Sequence, residues 1–459
     1  MTRTCPLSYM TIKTIKNILI GGSERTAIVK KNIFGSLAIR MVSIATSFLL
    51  VPMTLGYVSA EIYGVWLTIS SILHWLTYME VGFTLGLKNR LNECLAKKDY
   101  EKGKNLVSTT YAIMFAIFVP LSTFLFLVSP WIDWCSILNV DPSNQEVILK
   151  TMQVLFVFIA LQMIVNVFVA VVAAYQKTAL SSLFAVIGQV CSLCIIGIMT
   201  LFVKPSLLNL AFAYSMMPIV IVLIASVIYF KTSMKEVAPS LKAINVAYIK
   251  DLWGLGIKFF FIQLQMIVLY QATNILISHI AGPESVTQYN ISYKLLNIVV
   301  MVYSIILNPL WPAFTDAYTK EDYVWMKKIY SKMQKLYAVL CTLVVLIVIF
   351  SPFIIKLWVR DMVTVPFILT ISIAVYTLLH CWVSLQAILI NGTGKVTLQS
   401  RIIVIGLVLH IPLSLFLGQY IGILGVVASM SIINIIYASV FTTQIRRILN
   451  RTAIGIWNK

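Results

Sequence analysis

Charged side chains set inside long apolar runs are the feature of this sequence that most needs a chemical reason. Arg40, Glu80, Lys258 and Lys294 each lie in such a run. On insertion scales a charge at the helix centre costs about 2.5–3.5 kcal/mol, so each is expected to face a cavity or a partner. Lys294 is about ten residues from the nearer end of its run, roughly 15 Å deep at 1.5 Å per residue. That is too deep to snorkel easily, and its own run holds no nearby carboxylate. Arg40 and Glu80 lie at similar depths, roughly 10 and 12 Å, on consecutive runs, and could neutralise each other. Lys258 is close enough to an end to snorkel. Three cations against one carboxylate suit an anionic ligand. Asn290 and Asn297 share a helical face with Lys294, and Gln271 and Asn274 form a polar face on the preceding run. His74 shares the face of Glu80 and could titrate near neutral pH. The other histidines lack metal-ligand spacing, and no metal or cofactor is expected. Cys191 and Cys194 form a C-x-x-C inside an apolar run and read as small buried hydrophobes.

The elements that position these residues follow from composition. The chain has 459 residues, 60% hydrophobic and 11% charged, with a mean hydropathy of +0.92. An ordinary soluble domain carries about 25% charged residues. Disorder and a large water-soluble enzyme are both excluded, and lipid must be part of the solvent. Twelve apolar segments can be marked, near 33–56, 63–87, 106–129, 148–173, 180–203, 208–230, 255–281, 285–312, 333–355, 364–390, 399–418 and 420–444. The expected fold is an all-α polytopic membrane protein of about 12 transmembrane helices. The polar residues 1–31 hold no apolar core of a cleavable signal, so a cytoplasmic basic arm is expected there. The net charge of +19 resides in short loops between apolar runs, which points to a membrane and not to nucleic acid. With the N-terminus inside, 30 of the 35 Lys and Arg fall on the inner side, four on the outer side, and Lys294 within a span. That asymmetry places both termini in the cytoplasm.

The chain also repeats itself. Gly56 and Tyr63 answer Gly282 and Tyr289. Asp99-Tyr100 answers Asp322-Tyr323, and Ser129-Pro130, ending span three, answers Ser351-Pro352, ending span nine. Lys177–Gly188 answers Lys395–Gly406. The offset drifts only from 226 to 218. A six-span repeat keeps its orientation, so two lobes related by an axis along the membrane normal are expected, with a substrate site between them. The expected division is an arm at 1–31, an N-lobe at 32–230, a basic cytoplasmic linker at 231–254, a C-lobe at 255–444 and a cytoplasmic tail at 445–459. Spans one, two, seven and eight carry polar stripes, and these four are expected to line a wet cavity.

These residues carry a family resemblance. YGVW at 63–66, EVGFTLGLKNRL at 80–91, GPESVTQYNISYK at 282–294 and NPLWPAFTDAY at 308–318 resemble the bacterial polysaccharide flippases. GSERTAIVKKNI at 22–33 resembles the O-antigen subgroup. These flippases belong to the multidrug/oligosaccharidyl-lipid/polysaccharide exporter (MOP) superfamily. The resemblance covers nearly the whole chain, though Glu80 stands where members usually have Asp. It implies two six-helix lobes around a cationic cavity lined by spans one, two, seven and eight. It also implies the cargo, an undecaprenyl-diphosphate-linked oligosaccharide moved between leaflets of the bacterial inner membrane. Arg40, Lys258 and Lys294 would hold the diphosphate, and Asn290, Asn297, Gln271 and Asn274 the sugars. Glu80 and His74 would be the candidates for H+ or Na+ coupling. Polysaccharide polymerase and glycosyltransferases would be the partners. The alternatives are a multidrug antiporter or a peptidoglycan-precursor flippase of the same superfamily, and, further off, a membrane polymerase or glycosyltransferase.

Overall fold

The computed structural model describes residues 24–175, 177–249, 272–307 and 310–458, with side chains from residue 38 onward except at 74–83, 85, 178 and 312. The described residues are helical throughout, joined by short turns. The first six spans are α1 (Glu24–Tyr57), α2 (Ala60–Ala96), α3 (Tyr100–Val128), α4 (Gln145–Ala174), α5 (Thr178–Phe202) and α6 (Leu207–Lys231). The second six are α7, described over Ala272–Ala281, then α8 (Pro283–Leu307), α9 (Tyr323–Val359), α10 (Phe367–Thr393), α11 (Thr397–Ile421) and α12 (Ile423–Leu449). Ten described helices are long and apolar enough to cross a membrane, and the apolar stretches Ala60–Leu73 and Ala272–Ala281 complete twelve. Large side chains such as Phe115, Phe124, Leu223, Val345 and Phe416 are more than half exposed on the outer surface. In water that surface would be unstable; against lipid tails it needs no partner, because the helices satisfy their own backbone.

The repeat is visible in the backbone. Lys98 and Glu321 are both left-handed, with φ of 59° and 56°. Each precedes an aspartate that caps the next helix: Asp99 accepts from the Lys102 N–H at 3.1 Å, and Asp322 from the Trp325 N–H at 3.0 Å. Gly188 and Gly406 are the close-approach points of α5 on α6 and of α11 on α12. A Cβ on Gly188 would lie 2.8 Å from the Pro218 Cα, and one on Gly406 would strike the Tyr437 hydroxyl. The third anchor differs from the sequence expectation. Ser129-Pro130 does close α3 in a short 3-10 turn, but α9 runs through Pro352 to Val359. Ile355 and Val359 bury themselves in a core with Leu50 and Val51 of α1, and Trp358 donates to the Phe48 carbonyl at 2.9 Å. That packing holds two further turns in place despite the hydrogen bond a proline removes. In span eight, α8 is described to Leu307, and helix is described again over Leu310–Thr319.

Among the described residues, the two six-helix lobes meet toward one end. Take the terminal end as the one where α2 meets α3 and α10 meets α11, beside the C-terminus. The far end then holds the turns at 58–59, 282 and 360–366. Among the described residues, every hydrogen bond between lobes is at the far end or mid-depth. Thr287 donates to the Ala60 carbonyl at 2.7 Å, and Ser278 to that of Leu138 at 2.7 Å. Gly64 of α2 sits against the Pro283 carbonyl so closely that a Cβ would overlap it. The far-end core mixes the lobes, with Trp66 beside Ile291 and Leu295, whereas the described terminal-end core around Leu87, Val107 and Phe168 is built from N-lobe residues and the segment after α6, through Met234, Val237, Tyr248 and Ile249. The segment after α6 lies along α3, where Thr109 donates to the Asn245 carbonyl and receives its N–H.

Candidate functional site

A cavity of about 610 Å³ opens inside the N-lobe, and Lys294 is among its lining residues. Five N-lobe helices build it. From α1 comes Ser47; from α2, Tyr63, Trp66 and Ser70; from α4, Gln162 and Asn166; from α5, Gln189 and Ser192; from α6, Tyr214 and Ser215. Lys294 of α8 is the sole contribution of the C-lobe among the described lining residues.

The walls are held by hydrogen bonds among their polar groups. Gln162 and Asn166 are one helical turn apart, and the Gln162 amide donates to the Asn166 carbonyl oxygen at 2.6 Å. Ser43 of α1 donates to Gln189 Oε1 at 3.0 Å, fixing that amide. Thr54 and Tyr214 share a 2.8 Å hydrogen bond, and the Tyr214 ring packs on Trp66 with centroids 5.0 Å apart. Ser192 Oγ is buried with no described partner. The result is a pocket of aromatic faces, amides and hydroxyls with one cation among its described lining residues.

Lys294 is half-buried. Its ammonium lies 3.4 Å from the Ser47 carbonyl oxygen, longer than the 2.7–3.2 Å of a good N–H···O bond. Among the described residues it forms no ion pair, since the five found join other residues at the bundle ends. Its repeat counterpart is Thr68, a fully buried residue whose hydroxyl donates to the Gly64 carbonyl of its own helix at 3.0 Å. The cation therefore belongs to one lobe only and is no shared feature of the repeat.

The other expected residues are dispersed. Arg40 is exposed on α1 and shares a face with Ser43 and Ser47, roughly 10 Å toward the terminal end from the Lys294 contact. Asn290 and Asn274 are occupied with each other. Asn290 Nδ2 donates to Asn274 Oδ1 at 2.9 Å, and Asn274 Nδ2 donates to Ser71 Oγ of α2 at 2.8 Å. That chain crosses from one lobe to the other. Asn297 is half-buried and is not among the cavity's lining residues. Lys258 and Gln271 lie outside the described residues. His74 and Glu80 fall on the α2 backbone, but their side chains lie outside the description, so an Arg40–Glu80 pair is not among the described contacts.

The sequence reading missed what α4, α5 and α6 contribute. The Gln162–Asn166 spacing of four on a span with no charges was an available signal, since an amide pair inside lipid needs a reason.

No protein-family model matches the chain, and no curated protein matches it. Solved structures do. An inward-facing conformation of a multidrug resistance MATE family transporter of the MOP superfamily aligns with a TM-score of 0.74 at 14% identity, covering 92% of this chain and 99% of that one. An outward-facing conformation of such a transporter gives 0.60 at 16%, covering 96% and 99%. The chain shares the fold of these structures. A MOP superfamily transporter from Pyrococcus furiosus also aligns, with a TM-score of 0.58 at 15% identity, covering 96% of this chain and 98% of that one. For that protein, the reverse polarity of the binding pocket suggested a different function.

Proposed function

We propose that this chain is a flippase that moves an undecaprenyl-diphosphate-linked oligosaccharide of O-antigen type from the inner to the outer leaflet of the bacterial inner membrane by alternating access. The observation that carries the reading is Lys294, a half-buried cation with no described ion pair, in the wall of a cavity whose described lining has no carboxylate. An anionic head group gives that cation its counter-charge. The amides and rings of the same cavity are matched to hydroxylated rings, whose polar groups would lose hydration in bare hydrocarbon. Arg40, on the same face of α1, extends the positive path toward the terminal end, and the polyprenyl tail stays in lipid.

In this reading the termini are cytoplasmic and the far end faces outward. The lobes meet at the far end, so cargo enters from inside, and the higher TM-score to an inward-facing form supports that state. Release outward requires the latch of Asn290, Asn274, Ser71 and Thr287 to part while the terminal ends close. An inside-negative potential favours outward movement of an anion by about 2.3 kcal/mol per charge per 100 mV. Glu80 and His74 remain the candidates for H+ or Na+ coupling, and polymerase and glycosyltransferases are the expected partners.

The second reading, a multidrug antiporter, is favoured by the names of the structural neighbours. A cationic drug would meet Lys294 without a described carboxylate in the lining, which is why the flippase reading is preferred. Purified protein in proteoliposomes separates the two. The flippase reading expects movement of a fluorescent polyprenyl-diphosphate sugar and no gradient-driven ethidium transport. Ethidium transport without lipid movement would overturn it.

A further inference from the structure

The C-lobe holds a second cavity, of about 240 Å³, between α10, α11 and α12. The offset of 218 that relates Gly188 to Gly406 also relates the walls of the two cavities. Gln162 answers His380, Asn166 answers Ser384, and Ser192 answers His410, every one of them lining its own pocket. The repeat has therefore placed a pocket at the same point of each lobe, and the two have diverged in chemistry.

The C-lobe pocket is flat-walled. Tyr376 and His380 stack on α10, with centroids 5.8 Å apart and planes at 25°, and Tyr437 and Phe441 stack on α12 at 5.8 Å and 6°. α11 presents His410, which is fully buried, to the same cavity. Ser429 donates to the Val426 carbonyl at 2.9 Å and so accepts from Ser414 at 2.5 Å and from the His410 Nδ1–H at 3.2 Å. This arrangement leaves His410 Nε2 as a lone-pair acceptor, and it has no described partner. Gln399 Oε1, on the same helix and lining the same cavity, is a second buried acceptor without a described partner.

We propose that this pocket binds a small flat ring bearing one O–H or N–H donor, at a site separate from Lys294. The buried Nε2 acceptor of His410 selects a donor. Stacked rings select a flat apolar body. No carboxylate, lysine or arginine is among the described lining residues, so an ion would be buried there unpaired. The titratable groups facing His410 are Tyr376 and His380 of α10 and Tyr437 of α12. The size fits, since a cavity of about 150 Å³ already holds benzene.

The test uses the full chain in nanodiscs with 15N-labelled histidine, and phenol and anisole as probes. The His410 resonances are assigned by their loss in His410→Gln. Phenol should shift the Nε2 signal saturably, while anisole, which has no donor, should need at least tenfold more. Ile403→Trp, which fills the pocket, should abolish the shift, with unchanged signals from His74 and His279 as the check on folding. Lys294→Ala should leave it intact, so failure of the flippase reading and failure of this one are separate results. Equal responses to both probes, no response, or a shift that survives Ile403→Trp would overturn the proposal.

Discussion

Replacing Lys294 with methionine separates a ligand role from a structural one, because the two predict opposite signs for protein stability. The only described structural contact is the 3.4 Å approach to the Ser47 carbonyl, too long to contribute much. Removing the charge from the span saves about 2.5–3.5 kcal/mol on insertion scales. The variant should therefore accumulate in the membrane at wild-type levels or above. A hydrogen bond from a charged group is worth about 1.5–3 kcal/mol, so loss of the contact to a diphosphate should cut export roughly ten- to a hundredfold. Lys294→Arg should keep part of the activity, since the charge survives with a different geometry. Lys294→Glu should be worst, because it repels the head group. The assay is complementation of a flippase-null strain, scored as surface polysaccharide per unit of membrane protein. Normal export by the Met and Glu variants would refute the argument. So would a fall in export that merely tracks a fall in protein level.

Three further outcomes follow from the geometry. Gly64→Ala sets a methyl group against the Pro283 carbonyl across the lobe interface; at about 1–3 kcal/mol for such overpacking, the far end should open in a larger fraction of molecules, read as a longer spin-label distance between Ala60→Cys and Thr287→Cys, and an unchanged distance would contradict it. Asp99→Ala and Asp322→Ala remove repeat-related caps, so each should cost about 1 kcal/mol in thermal unfolding; an effect in one lobe only would mean the two turns are not energetically equivalent. A cysteine at Ser136 should react with an impermeant maleimide added outside intact cells, whereas one at Lys97 should react only after the membrane is opened; the reverse pattern would invert the proposed topology.

Some of this protein was legible from the chain alone. Apolar runs of about 20 residues must be helices in lipid, because only a helix satisfies its own backbone there. Span number, and the relation between the halves, therefore follow from local sequence. The motifs at Asp99 and Asp322 were legible as repeat anchors, and the structure showed that each aspartate caps a helix. Lys294 also stood out unaided, since a charge in an apolar run is conspicuous at any resolution of the fold. The tertiary structure decided what those residues meet. Asn274 and Asn290 read as part of a cavity stripe, yet their amides join each other and Ser71 across the interface. The pocket walls on α4, α5 and α6 came from residues far apart in sequence, which a stripe on a single helix does not reveal. Pro352 read as a helix end, and the helix continues because contacts more than 300 residues away in α1 hold its last turns. Periodicity fixes which face of a helix is polar. Which neighbour that face meets depends on how twelve helices pack, and packing is a property of the whole chain.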